Sequence, residues 1–207
     1  MAVNIRAPHG SNQTEVRSAT NETDVAQPLI DRCVVGEKEA WRELHRVYYP
    51  TALRFLRRMG VVPAELDDAC QEVFVQVFRY LPRFERRSDF QTWLYKLCIS
   101  QATRVRRRAS LQAALGFLLG HRPSAPSVPS EPEWSEAMVA ERVRQTLDKM
   151  KPLHREVFVL YEIEGLDGGK VARILDCPQT TARRRLHYAR REFESLLGQK
   201  VSSGEKS

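Results

Sequence analysis

Four prolines recur at every third position between residues 123 and 132, in the run HRPSAPSVPSEP. Each proline lacks a backbone N–H donor and clashes with the preceding helical turn, so neither a helix nor a central strand can continue through this run. The serines and alanines between the prolines are typical of an extended linker. The chain is therefore expected to form two folded parts, one on either side of this linker.

Apolar residues repeat at helical spacing on both sides of the linker, and no stretch shows the alternation of a strand. The expected fold class is all-α, with two small helical domains joined by a Pro-rich linker. Ser88 is the predicted N-cap of the helix that precedes the linker. The repeats predict helices over residues 29–34, 40–59, 63–81, 88–108, 138–147, 152–161 and 171–175, and a long helix from about Thr180.

The same patterns divide the chain into five parts. Both ends are polar and lack periodicity, which is typical of disorder. The predicted order is a disordered N-terminus (1–27), a first helical domain (28–108), a linker (109–134), a second helical domain (135–198) and a disordered tail (199–207).

The net charge of +7 favours a polyanionic partner such as nucleic acid or an anionic membrane surface, although such a charge also serves solubility alone. No apolar run approaches the roughly 20 residues of a membrane span. The polar N-terminus does not resemble a signal peptide, so a cytoplasmic location is expected. The cysteines and histidines are scattered, and no nucleophile pairs with a base, so no metal, cofactor or enzymatic activity is expected.

A helix-turn-helix pattern lies near the C-terminus, where a short helix, a turn at residues 176–178 and a long helix follow one another. In the long helix, Ala182, Leu186, Ala189 and Phe193 form an apolar stripe that is expected to pack inward. Residues outside this stripe could contact base edges and phosphates, and a solvated surface helix is the alternative reading. The candidate DNA-binding residues are Thr180, Thr181, Arg183, Arg184, Arg185, His187 and Arg190.

A second basic cluster, residues 104–108, ends the helix before the linker. The helix dipole favours cations at that end whatever the function. Aromatic residues interleaved with cations lie just upstream, and such a pattern can stack unpaired bases while holding their phosphates. The same aromatic spacing is also typical of a core, so only some of these side chains are expected at the surface.

Three segments resemble bacterial RNA polymerase sigma factors of the extracytoplasmic-function group: LDDACQEVFVQVFRYLPRF, SDFQTWLYKLCISQATRVRRR and LDKMKPLHREVFVLYEIEGL. The resemblance covers residues 29–197 apart from the linker. It implies a protein that binds core RNA polymerase and promoter DNA, with an anti-sigma factor as a further partner. The first domain would bind the polymerase clamp and the minus-10 element, and the second would read the minus-35 element.

The resemblance also assigns residues to these surfaces. The helix-turn-helix candidates above would read the minus-35 element, although Arg185 also fits a positional role. The polymerase-binding residues would be Asp68, Gln71, Glu72 and Phe74. The minus-10 residues would be Phe84, Trp93, Lys96, Ser100 and Arg104.

The chain departs from the family pattern in both domains. Ser100 stands where the family usually has Asn, and Arg104 stands near a usual Asp. Residues 167–172 read DGGKVA in place of the usual Ser-Tyr-x-Glu-Ile-Ala, which predicts a looser first helix in the helix-turn-helix. A promoter sequence therefore cannot be carried over from typical members.

Two other functions remain open from the sequence. The first is a stand-alone helix-turn-helix regulator that binds duplex DNA without polymerase. The second is an interaction protein that uses the apolar segment LQAALGFLLG at residues 111–120. That segment could equally be a helical extension or a weak membrane-surface contact.

Overall fold

The computed structural model describes residues 27–84, 88–118 and 136–199, and within these residues it contains helices and turns but no strand. The all-α fold class is therefore confirmed. The predicted disordered N-terminus and the proline run lie outside the described residues, as does the tail from residue 200. The helices are α1 (27–34), α2 (Lys38–Arg58), α3 (Pro63–Tyr80), α4 (Phe90–Leu118), α5 (Glu136–Lys149), α6 (Pro152–Phe158), α7 (Gly168–Ile174) and α8 (Gln179–Gln199).

Helix α4 differs from its prediction at both ends. Asp89, not Ser88, caps its start, because the Asp89 Oδ1 accepts a hydrogen bond from the Thr92 amide at 2.7 Å. The helix also continues past Arg108 to Leu118. The added residues include several alanines and leucines, which are strong helix formers. The first part of the segment predicted as linker is thus a helical extension.

Helices α2, α3 and α4 enclose the core of the first domain. Leu44, Phe55, Val73 and Leu94 are fully buried there. The Phe55 ring stacks on that of Tyr95 with centroids 4.3 Å apart. Burying each such side chain contributes roughly 1.5–3 kcal/mol, so this three-helix contact is the main source of the domain's stability.

Helices α5 to α8 form the second domain, in which α8 is the longest element. Its predicted inward stripe is confirmed, because Ala182, Leu186 and Ala189 are buried. Phe193 stacks on Phe158 with centroids 4.5 Å apart. This packing leaves the opposite face of α8 to solvent.

The two domains pack against each other. Helix α4 lies against α7, and α2 contacts α5. The buried apolar residues of both domains form one continuous cluster. No helix in the described part of the chain is long and apolar enough to cross a membrane.

Candidate nucleic-acid interface

The first helix of the helix-turn-helix, α7, begins with a side-chain cap. The Asp167 Oδ1 accepts hydrogen bonds from the amides of Gly169 and Lys170 at 2.8 and 3.0 Å. These amides would otherwise lack partners at the helix start. Asp167 thus caps the start of α7 where the family pattern has Ser, and the looser helix predicted for this segment stays a prediction.

Gly168 brings the start of α7 close to its neighbours. A Cβ at this position would lie 2.4 Å from Nε2 of Gln179 and 3.0 Å from Oη of Tyr161. The missing side chain thus lets α7 approach the first residue of α8. Asp176, with φ 49°, then supplies the left-handed turn between the two helices, a conformation that Asp tolerates better than most residues.

Replacing Asp167 with alanine is expected to destabilise the chain by about 1 kcal/mol, because two amides of α7 lose their acceptor. Urea unfolding followed by circular dichroism would measure this change. Asp167→Asn keeps an oxygen acceptor and should unfold close to wild type. Equal unfolding midpoints for the alanine and asparagine variants would contradict the cap.

The solvent face of α8 carries the exposed members of the predicted minus-35 set. Thr180, Arg183, Arg184 and His187 are all exposed. Sequence reasoning missed Tyr188, which is 52% exposed beside His187. Its position four residues after Arg184 would have placed it on the same helix face.

Three other predicted minus-35 residues are either half-buried or bonded to another residue of the second domain. Thr181 and Arg185 are half-buried, and Arg185 acts electrostatically on the buried carboxylate of Glu156. The Arg190 Nε and Nη2 donate to Glu162 Oε1 at 2.9 and 2.6 Å. These contacts give Arg185 and Arg190 structural partners inside the second domain.

The predicted minus-10 residues come together along α4. Lys96, Ser100 and Arg104 are exposed at four-residue intervals, and Trp93 precedes them on the same side. Phe84 lies after α3, and its ring centroid is 5.1 Å from that of Trp93. Both aromatic side chains are half-buried, so part of each ring is accessible to solvent near Lys96, Ser100 and Arg104.

The predicted polymerase-binding residues lie on α3, and three of the four share its exposed face. Asp68, Gln71 and Glu72 are exposed. Phe74 is not, because its ring packs against His45 and Tyr49 of α2 with centroids 4.7 and 5.8 Å away. It is half-buried and helps to hold α3 to α2, and its contact with the polymerase stays a prediction.

The most exposed aromatic residue of α3 is Phe78. Its side chain is 64% exposed and touches Trp41, with ring centroids 4.9 Å apart. Val75, between Phe78 and the acidic residues, is also exposed. Val75 lies three residues after Glu72, and Phe78 lies seven residues after Gln71; this helical spacing was the signal available in the sequence.

A cleft of about 390 Å³ joins the two predicted surfaces of the first domain. Asp68 and Glu72 of α3 line one wall, and Arg104 and Arg108 of α4 line the other. The structure thus places Arg104, predicted to bind DNA, beside residues predicted to bind polymerase.

Comparisons with known proteins agree with this architecture. Residues 44–112 match the family model for sigma-70 region 2, and residues 140–193 match that for sigma-70 region 4. The RNA polymerase sigma-H factor of Pseudomonas aeruginosa is 28% identical over 86% of this chain and 95% of its own length. The ECF RNA polymerase sigma-E factor of Escherichia coli is 29% identical over 83% and 93%.

Two solved structures share the fold. One is CnrH in complex with the cytosolic domain of CnrY, with a TM-score of 0.61 and 22% identity over 82% of this chain and 95% of that one. The other is the sigma factor RpoE of Bartonella quintana in complex with the anti-sigma factor NepR, with a TM-score of 0.62 and 17% identity over 76% and 96%. With both regions present in order, the chain belongs to the sigma-70 family of RNA polymerase sigma factors, in its extracytoplasmic-function group.

Proposed function

We propose that this chain binds core RNA polymerase and directs it to promoters, with the second domain reading the minus-35 element. The exposed cationic face of α8 carries this proposal. Arg183, Arg184 and His187 face solvent at the start of a helix that is held by a capped α7 and a tight turn. Side chains at this position of a helix-turn-helix reach base edges in the major groove.

The exposed face of α3 has the composition of a surface that binds another protein, and we assign it to the polymerase. Asp68 and Glu72 offer negative charge, and Phe78 offers a large apolar surface within the same face. An aromatic anchor beside charged groups is typical of a protein–protein interface. Phe78 and Val75 are therefore added to Asp68, Gln71, Glu72 and Phe74 as proposed contacts.

The exposed residues Lys96, Ser100 and Arg104 of α4 are placed to bind the melted minus-10 strand. The accessible parts of the Phe84 and Trp93 rings could stack on unpaired bases, and Lys96 and Arg104 could hold the adjacent phosphates. Ser100 lies between these two cations on the same face. We propose no base sequence for the minus-10 element, because Ser100 and Arg104 both depart from the family pattern.

An anti-sigma factor is the further proposed partner, since RpoE of Bartonella quintana was solved with one. The protein would act in the cytoplasm, where bacterial core polymerase works. It would contribute recognition and positioning, and the polymerase would perform the chemical step.

Run-off transcription tests this proposal with purified chain, core polymerase and genomic promoter fragments. Glu72→Ala should weaken core binding about tenfold, a change of about 1.4 kcal/mol at an interface contact. Glu39→Ala, a matched loss of one exposed carboxylate on α2, should bind core as wild type does. Duplex binding without any core binding or transcription would favour the stand-alone regulator instead.

A further inference from the structure

The cleft of about 390 Å³ between α3 and α4 has walls of opposite charge. Its charged lining residues are Glu65, Asp68 and Glu72 on α3, and Arg104 and Arg108 on α4. Carboxylates therefore outnumber guanidinium groups by one in this lining. An occupant with complementary charge would carry groups of both signs and an excess of one positive charge.

Each wall of the cleft holds like charges side by side. Asp68 and Glu72 are four residues apart on α3, and Arg104 and Arg108 are four apart on α4. Like charges at this helical spacing repel each other. Within the described part of the chain, no ion pair joins the two walls. A ligand that lies between the walls and pairs with both would relieve the repulsion within each of them.

Gln101 supplies a second and independent sign of a missing partner. It lines the same cleft and is only 5% exposed. Its Oε1 atom is buried and has no hydrogen-bond partner among the described residues. Buried polar atoms nearly always have such a partner. An N–H group of a ligand in the cleft would donate the hydrogen bond that this oxygen lacks.

The acidic wall is too extended for a single metal ion. Glu65 and Glu72 are seven residues apart, which is roughly 10 Å along α3 at 1.5 Å per residue. Among the described residues, no group of three Asp, Glu, His or Cys side chains is placed to hold a metal ion. The carboxylates would instead contact separate groups of one extended ligand.

The size and the apolar part of the lining limit that ligand further. Pockets for small molecules usually have volumes of about 300–1,000 Å³, so this cleft fits only a small one. Ala69 and Val105 also line it, and an aliphatic stem can lie on such surface while its charged end reaches polar groups. Two cationic groups, one anionic group and a short stem together describe an α-amino acid with a cationic side chain.

We propose that the cleft between α3 and α4 is a binding site for a free basic α-amino acid. The two cationic groups of the ligand pair with the carboxylates of α3, and its carboxylate pairs with Arg104 and Arg108. One of its N–H groups donates to Gln101 Oε1. The bound ligand covers Asp68 and Glu72 and so competes with core polymerase. This competition rests on the proposed function, whereas binding of the ligand does not.

Nuclear magnetic resonance titration of the full isotope-labelled chain tests the site with L-arginine as the probe. Amide signals of residues 65–72 and 101–108 should shift and saturate. The expected dissociation constant is on the order of 1 mM or below, given the ligand's roughly dozen non-hydrogen atoms. Shifts that never saturate, or that sodium chloride reproduces at the same ionic strength, would overturn the site.

Analogues of arginine show which of its charges the cleft recognises. Citrulline lacks the side-chain cation and agmatine lacks the carboxylate, so each should bind about tenfold more weakly or worse. L-lysine keeps all three charges and should bind nearly as L-arginine does. N-acetyl-arginine amide lacks both α-charges. If it binds as tightly as L-arginine, the cleft takes an arginine side chain of a protein and the proposal is wrong.

Variants of the lining locate the bound probe. Gln101→Leu removes the orphan acceptor and keeps a side chain of similar size, so it should weaken L-arginine binding about tenfold. Asp68→Asn/Glu72→Gln removes two carboxylates and provides a second site variant at exposed positions. Gln76→Leu makes the same change as the first variant at a half-buried position of α3 outside the lining, and it should bind as wild type does. Wild-type affinity in both folded site variants would contradict the proposal.

Core polymerase binding in the presence of L-arginine tests the competition. At a ligand concentration ten times its dissociation constant, competition should lower the apparent core affinity about tenfold, relative to sodium chloride at the same ionic strength. Gln101→Leu should lose much less affinity under the same conditions. Unchanged core affinity of the wild type would overturn the competition. A chain that binds L-arginine as expected and never binds core would count against the proposed function instead.

Discussion

Replacing Arg183 and Arg184 together with alanine is expected to weaken specific duplex binding by about 3–4 kcal/mol, on the order of several hundredfold. Both side chains are exposed on the solvent face of α8, where arginine can contact guanine through two hydrogen bonds. Fluorescence anisotropy would measure the loss on a duplex that the wild-type chain has selected from random sequence. The second domain should keep its fold, because neither residue belongs to the buried stripe.

Binding to random duplex separates base contacts from phosphate contacts. If the two arginines read bases, the variant should lose affinity for the selected duplex and keep most of its affinity for random duplex. Arg42→Ala/Arg46→Ala removes the same charge from the exposed side of α2 and should leave the selected duplex bound nearly as before. Unchanged binding by the Arg183/Arg184 variant would remove α8 as the recognition helix.

The fold could be predicted from the sequence wherever a repeat lies within one helix. The stripe of Ala182, Leu186 and Ala189 follows helical spacing, so both the helix and its inward face were predictable. The partial burial of Phe74 could not be predicted in this way. Helix α3 has apolar residues around most of its circumference, and only the position of α2 decides that Phe74 packs inside while Phe78 stays outside.

The cap at Asp167 shows the limit of comparison with a family pattern. The pattern indicated a missing acidic residue within the helix, whereas the aspartate one position before the helix bonds two of its amides. The contact between the two domains, in which Arg155 lies against Gly60, was not predictable at all. Its residues come from segments far apart in the chain, and nothing local to Gly60 or Arg155 shows that one fits the other.

Gly60→Ala tests how closely the Arg155 side chain packs against Gly60. We expect this substitution to destabilise the chain by about 3 kcal/mol. A left-handed conformation costs an alanine roughly 1–2 kcal/mol, and Gly60 has φ +85°. The new Cβ would also displace the Arg155 guanidinium from the Met59 carbonyl. Losing a hydrogen bond made by a charged group adds roughly 1.5 kcal/mol or more. Urea unfolding would measure the sum.

Gly36 provides the matched control for the backbone cost. It has φ +88°, and a Cβ there would meet nothing within 4 Å. Gly36→Ala should therefore cost only the roughly 1–2 kcal/mol of the left-handed conformation. In an Arg155→Ala background, Gly60→Ala should fall to the same value, because the side chain that it displaces is absent. Equal costs for Gly60→Ala with and without Arg155 would show that the Arg155 side chain does not fill the space beside Gly60.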